Sequence, residues 1–319
     1  MSTCSLLPQA HSRRLVGIAI SALVGAGVVA GCSGSSATSG GGGSGGTLDV
    51  VASFYPIEFA IEQIGGSHVH VTSLTKPGAE PHDVELTPKD VATVTDTKLV
   101  VYAAGFQPAV DEAVSQQAAD RAFDVAPTAH LDLAAPAEGG KAPAAGAKDP
   151  HFWLDPERYE AVSKAIGARL STVDPGHAAD YAKNTTAFVA KLVALDQAFA
   201  AGTKTCTTKD LVTSHAAFGY LSTRYGFTQV PITGLDPEVE PSAADLTRIA
   251  DFVKANKVTT IYAETLVEPK FAQTVGDATG ARVATLDPIE GLTSKSVGSD
   301  YLEVMLSNLA TVQQGQGCS

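Results

Sequence analysis

The sequence predicts an α/β fold of two lobes, each built on a mainly parallel sheet, joined by a long rigid helix. Three observations carry this. Short β-rich apolar runs alternate with helical patterns, and strand–helix alternation returns each strand in the same direction. The 319 residues allow about two domains at roughly 100–200 residues each. One helical pattern, from Asp174-Pro175 to Gly202, is long for an element inside one small α/β domain. At ~1.5 Å per residue it runs about 40 Å.

The chain opens with Arg13 and Arg14 before Leu15–Gly31, seventeen residues without a charge. A basic start and a short apolar run read as a secretory signal, marginally short for a spanning helix. The run ends Val29-Ala30-Gly31-Cys32, which resembles a bacterial lipobox with Cys32 as the lipidated residue. Residues 1–31 are thus expected to be a lipoprotein signal peptide. Its removal leaves 288 residues with a formal charge of −14, because the piece carries two Arg and no acid. Lipid then holds the protein on the outer side of a membrane without a transmembrane helix. Residues 32–47 are almost all Ser, Gly, Thr and Ala, the composition of a flexible tether. The formal G-x-S-x-G at Gly42–Gly46 has neither the strand nor the helix a nucleophile elbow needs.

In the first lobe, 48–177, strands are expected at Leu48–Ser53, Val69–Leu74 and Leu99–Ala103. Thr87-Pro88-Lys89-Asp90 starts a helix with an N-cap, a Pro at the first helical position and an acid at the third. Leu133–Lys148, rich in Ala, Pro and Gly, reads as an inserted mobile loop. Asp155 caps the next helix. The linking helix, 178–203, places Tyr181, Thr185, Phe188, Val189, Leu192, Leu195 and Phe199 at steps of three and four. The second lobe, 204–319, has strands at Leu211–Thr213, Val230–Thr233, Thr259–Ala263 and Val283–Leu286. Ser242-Ala243-Ala244-Asp245 starts a helix that continues with Leu246, Ile249, Ala250 and Val253 in register, and Pro269–Thr279 ends at Gly280.

Composition narrows the function. With 44% hydrophobic and 18% charged residues the chain buries a real core. Lys and Arg total 22 against 34 Asp and Glu, a charge of −12, so it lacks the basic face that nucleic-acid binding needs. Of four Cys, Cys4 falls in the signal and Cys32 carries lipid, leaving Cys206 and Cys318. In an exported protein two remaining Cys most often pair.

The chemistry rests on histidine. His82 follows the strand Val69–Leu74, His215 follows Leu211–Thr213 and Asp287 follows Val283–Leu286, all at carboxyl ends. Open α/β sheets bind ligands there. His151 immediately precedes the helix capped by Asp155. Two candidates fall in each lobe, so a cleft between lobes gathers three imidazoles and a carboxylate. That set suits a first-row divalent metal, zinc in particular. Glu264, ending Thr259–Ala263, competes with Asp287 for the fourth place, and Glu80 adjoins His82. His68, His70, His130 and His177 read as ordinary surface or strand residues.

Local motifs sharpen this. Gly78-Ala79-Glu80-Pro81-His82-Asp83-Val84-Glu85-Leu86-Thr87-Pro88-Lys89-Asp90 resembles the first ligand motif of the cluster A-I solute-binding proteins, the zinc and manganese receptors of bacterial ABC importers. Asp149–Pro156 is similar to the second motif and Ser214–Tyr220 to the third. Glu238–Ser242 and Leu286–Leu292 are similar to two further signatures, all in the family's order. The resemblance covers about Leu48 to Leu309. It implies a two-lobed receptor, probing neither DNA nor RNA, that holds one metal on His82, His151, His215 and Asp287 and delivers it to an ABC permease and its ATPase. His at the third position favours zinc over manganese; a manganese or dual receptor stays open. Related lipoproteins act as adhesins, a second open role. Leu133–Lys148 has no His, unlike the His-rich loop of many zinc members. A zinc hydrolase would need an open coordination position and a general base, and no H-E-x-x-H occurs. The expectation is a monomeric, extracytoplasmic, lipid-anchored receptor and not an enzyme.

Overall fold

Parallel strands covered by helices on both sides are apolar on both faces, and the central strands of this chain are. In the computed structural model, which describes residues 46–137 and 142–319, the first sheet contains β1 (Leu48–Ala52), β2 (Val69–Ser73), β3 (Leu99–Tyr102) and β4 (Ala122–Asp124). Its order is β2-β1-β3-β4, all parallel. The second contains β5 (Asp210–Thr213), β6 (Thr228–Pro231), β7 (Thr260–Ala263) and β8 (Arg282–Thr285), in the order β6-β5-β7-β8, again all parallel. The same strand order thus occurs twice. The central strands β3 and β7 are buried almost throughout, whereas the edge strand β2 alternates half-buried and exposed.

The helices are α1 (Tyr55–Gly65), α2 (Pro88–Asp96), α3 (Pro108–Gln117), α4 (Pro156–Val173), α5 (Ala178–Gly202), α6 (Gly219–Tyr225), α7 (Ala243–Ala255), α8 (Lys270–Thr279) and α9 (Tyr301–Gln316). Both expected capping boxes form: Thr87 with Asp90 on α2, and Ser242 with Asp245 on α7. Strand β6 begins two residues earlier than the sequence suggests. Gly226, in the left-handed conformation at φ 73°, ends α6 at once and lets the chain extend from Thr228. Its Pro231 sits at the end of an edge strand, where no ladder donor is lost.

Helix α5 is preceded by a 3-10 turn, Pro175–His177, so its α-helical part starts at Ala178. It is not a bare rod. Tyr181, Phe188, Leu192, Leu195 and Phe199 are buried against α4, α1 and α9. The α4 contact is close: a Cβ added at Gly167 would lie 2.1 Å from Thr185 Oγ1. One apolar core runs through both lobes, from Phe54 and Ile57 to Leu211, Phe218, Leu286 and Met305. Tyr301, first residue of α9, reaches into first-lobe aromatics, 4.8 Å from Tyr159 and 5.8 Å from Phe59 between ring centroids. Cys206 and Cys318 form a disulfide in the structure, joining the segment after α5 to the end of α9. Among the described residues no helix is long and apolar enough to cross a membrane. The expected signal peptide 1–31, Cys32 and the tether up to residue 45 lie outside the described residues.

Candidate metal centre

Four segments bring side chains to one point between the sheets. His82 lies in the loop after β2. Its ring lies perpendicular to that of Phe106, 4.7 Å between centroids, and its backbone N–H donates to Glu80 Oε1 at 3.1 Å. The loop is tied down by Gln107, whose amide donates to Pro81 O at 3.1 Å. His151 sits just before a short 3-10 helix, Phe152–Leu154, whose three apolar side chains anchor it in the core. His215 follows β5, and Glu264 follows β7, its neighbour in the sheet. In an order of this kind the chain reverses its winding between those two strands, and the crevice at their carboxyl ends is where such sheets bind ligands. Glu290 lies in the turn after β8.

The donor atoms of His82, His151, His215 and Glu290 all lie within 4.8 Å of one another. Glu290 Oε1 is 3.0 Å from His151 Nε2, 3.1 Å from His215 Nε2 and 3.6 Å from His82 Nε2, and His151 Nε2 is 3.3 Å from His82 Nε2. A tetrahedron with bonds of about 2.0–2.1 Å has edges of about 3.3 Å. These four edges, 3.0 to 3.6 Å, bracket that value, the spacing a four-coordinate zinc-sized ion needs. His151, His215 and Glu290 are buried and His82 is nearly so. Glu290 Oε2 is buried without a partner, an oxygen that a cation would satisfy.

Each inner imidazole has a carboxylate behind it. His151 Nδ1 is 2.7 Å from Asp149 Oδ1, and His215 Nδ1 is 2.9 Å from Glu264 Oε1. Such partners fix the tautomer and leave Nε2 aimed inward. Burial opposes the charge on His151, but Asp149 and Glu290 outweigh it and raise its pKa. His215 goes the same way and further: burial lowers, yet Glu264 and Glu290 hold it well above the ordinary value. Burial would raise Glu290, but His215, His151 and His82 pull it well below the usual carboxylate range. Burial and the Glu290 charge push Glu80 up to about 9.

The carboxylate that the structure brings to the three imidazoles is Glu290, where the sequence pointed to Asp287 or Glu264. Asp287 is not in the cluster. Its Oδ1 accepts from Ile289 N at 2.8 Å and its Oδ2 from Ser296 Oγ at 2.7 Å. Asn308 clamps its backbone from both sides, accepting from Asp287 N and donating to Asp287 O. The short side chain is used up bracing a turn in which Ile289 takes φ 56°, an uncommon value for a β-branched residue. That turn aims Glu290, three residues on, into the cluster. Glu264 likewise lies outside the cluster, its Oε1 paired with the outer nitrogen of His215. The signal for Glu290 lay in Leu286–Leu292: after a tight turn its longer side chain reaches further than that of the acid nearest the strand end. The other histidines lie elsewhere: His68 stacks on His177 at 4.0 Å and pairs with Asp180, for example.

Two parallel-sheet lobes with a donor-lined centre between them define the class: a two-lobed α/β solute-receptor architecture. Residues 50–315 match the family model described as ZnuA, zinc-uptake complex component A periplasmic. The chain belongs to the ZnuA family. It is 35% identical over 295 residues to the high-affinity zinc uptake system protein ZnuA of Bacillus subtilis, across 88% of this chain and 92% of that one. Its fold is similar to a mutant structure of the laminin-binding adhesin Lmb of Streptococcus agalactiae, with TM-score 0.76, 33% identity, and coverage of 84% and 99%. It is also similar to Zn(II)-bound AdcA of Streptococcus pneumoniae, with TM-score 0.72 and 33% identity. That match covers 85% of this chain but 58% of AdcA, so the chain spans little more than half of that relative.

Proposed function

We propose that this chain is the extracytoplasmic zinc receptor of an ABC importer. The observation that carries it is the convergence of the donor atoms of His82, His151, His215 and Glu290 within 4.8 Å of one another, four of the pairs at 3.0–3.6 Å, in the buried centre between two lobes. Three imidazoles and one carboxylate suit zinc better than manganese, which prefers more oxygen. The likeness to zinc-uptake relatives supports the same ion. Four protein donors fill a tetrahedron and leave no position for an activated water, so the site holds its ion and does no chemistry on it.

His82 and His151 belong to the first lobe, 48–177, and His215 and Glu290 to the second, 204–319, with 178–203 between them. Zinc binds by displacing protons from the imidazoles, and it leaves when a lobe shifts as the receptor docks on its permease, whose ATPase drives transport. We further propose that residues 1–31 are cleaved, that Cys32 carries the lipid anchor, that 32–47 tether a monomeric body to the outer membrane face, and that Cys206–Cys318 is joined after export.

The test uses the soluble chain from Thr47, stripped of metal and dialysed against equal zinc and manganese. About one zinc per chain with little manganese is expected. Manganese at similar occupancy would reassign the ion, and neither metal bound would refute the receptor reading and move weight to an adhesin.

A further inference from the structure

The two inner histidines are oriented differently. The carboxylate behind His215, Glu264, belongs to the same sheet, one strand away. The carboxylate behind His151, Asp149, lies against the other lobe. Tyr220, on α6, donates from its hydroxyl to Asp149 O at 3.0 Å. Gly219 comes so near that an added Cβ would lie 2.6 Å from Asp149 Oδ2. Arg158 of α4 lies over the Tyr220 ring at 4.3 Å, so the ring is held from the first-lobe side as well. Asp149 Oδ1 accepts from both the backbone N–H and Nδ1 of His151. At its other end the same segment is held by Trp153, whose indole N–H donates to Pro288 O at 2.7 Å, two residues before Glu290. The first-lobe ligand segment is thus hydrogen-bonded to both second-lobe ligand segments.

Resting on the zinc reading above, we propose that Tyr220 is a positioning residue for zinc: its hydroxyl fixes Asp149, which orients His151 only while the lobes are closed. Opening the lobes withdraws the Tyr220 hydroxyl and Gly219 from Asp149 and loosens His151. His215 keeps Glu264 throughout. The geometry orders release: the bond to His151 weakens first, and the ion is last held by the second lobe.

The experiment measures zinc dissociation from the full chain by rapid mixing with a chelator. Tyr220→Phe keeps the ring under Arg158 and removes only the hydroxyl. Dissociation should speed several-fold, toward the roughly tenfold seen when a direct partner of a metal-ligating histidine is lost, with association unchanged. Gly219→Ala, which displaces the Asp149 carboxylate, should act in the same direction. In a His151→Ala background Tyr220→Phe should add nothing further, since neighbours acting through one group are non-additive. An unchanged rate for Tyr220→Phe overturns the proposal, as does the same acceleration in the His151→Ala background, which marks a merely structural role. His151→Ala alone tests the underlying reading: zinc affinity left intact there refutes His151 as a ligand, whatever Tyr220 does.

Discussion

Glu290 and Asp287 stand three residues apart in one motif, yet the turn gives them opposite tasks. Glu290 faces three imidazoles, and Asp287 faces its own turn. Their substitutions should therefore separate. Glu290→Gln keeps the shape and removes the charge, and zinc affinity should fall on the order of 100-fold by isothermal titration, with a loss of metal-free stability as well, because His151 and His215 lose their buried counter-charge. Asp287→Ala deletes a buried acceptor of two hydrogen bonds and should cost about 1–3 kcal/mol in urea unfolding, with a smaller loss of zinc affinity through the loosened turn. Equal affinity losses would mean that Asp287 reaches the ion after all. The three histidines were readable in the sequence because each sits where a strand or a cap already fixes the backbone. Glu290 was not, because its reach depends on the positive φ of Ile289 and on Asn308 of α9, a residue distant in sequence. Nothing local encodes that contact.

Elements that announce their own ends were readable too. Helices α2 and α7 carry full capping boxes, and the long α5 shows its apolar face over seven positions. Helices α1, α3 and α6 have no side-chain cap; Pro in the first turn starts α1 and α3, and Gly226 ends α6. The three-residue β4 is too short to show a period and exists because it completes the sheet beside β3. This difference is testable. Ser242→Ala removes the α7 cap and should cost about 1 kcal/mol without altering zinc affinity, since α7 supplies no donor. Gly167→Ala acts on the α4–α5 contact instead. The new methyl meets Thr185 Oγ1, Cβ and Cγ2 together, so one rotamer change does not clear it. Overpacking of this kind costs about 1–3 kcal/mol, read as a lower midpoint in chemical denaturation. A stability equal to the parent would show that α4 and α5 part easily and that the linking helix is less firmly seated than its buried face implies.

At the scale of the whole molecule, protons and zinc compete for one buried centre, and the competition sets how stability responds to pH. In the metal-free chain His151 and His215 have raised pKa values, through Asp149, Glu264 and Glu290 acting against burial. A raised imidazole contributes stability that is fully present below its unfolded value of about 6.5. That contribution is lost as pH rises through the higher folded value. Above about pH 6.5 these two groups therefore stabilise the metal-free chain less as pH rises. Zinc requires the same nitrogens deprotonated, so its affinity rises over that range. A ligand that binds only the folded state adds about 2.7 kcal/mol at 100 times its Kd, and that ratio grows as Kd falls. The two trends have opposite signs. The difference in Tm between zinc-loaded and chelator-treated protein should widen from pH 6 to pH 8, and calorimetry at fixed free zinc measures it. His215→Ala should flatten the widening, because it removes the imidazole whose pKa is raised furthest above its ordinary value and one of the four donors. A difference that stays constant with pH, or narrows, would mean that the ion does not displace protons from these imidazoles, and the buried centre would then need another occupant.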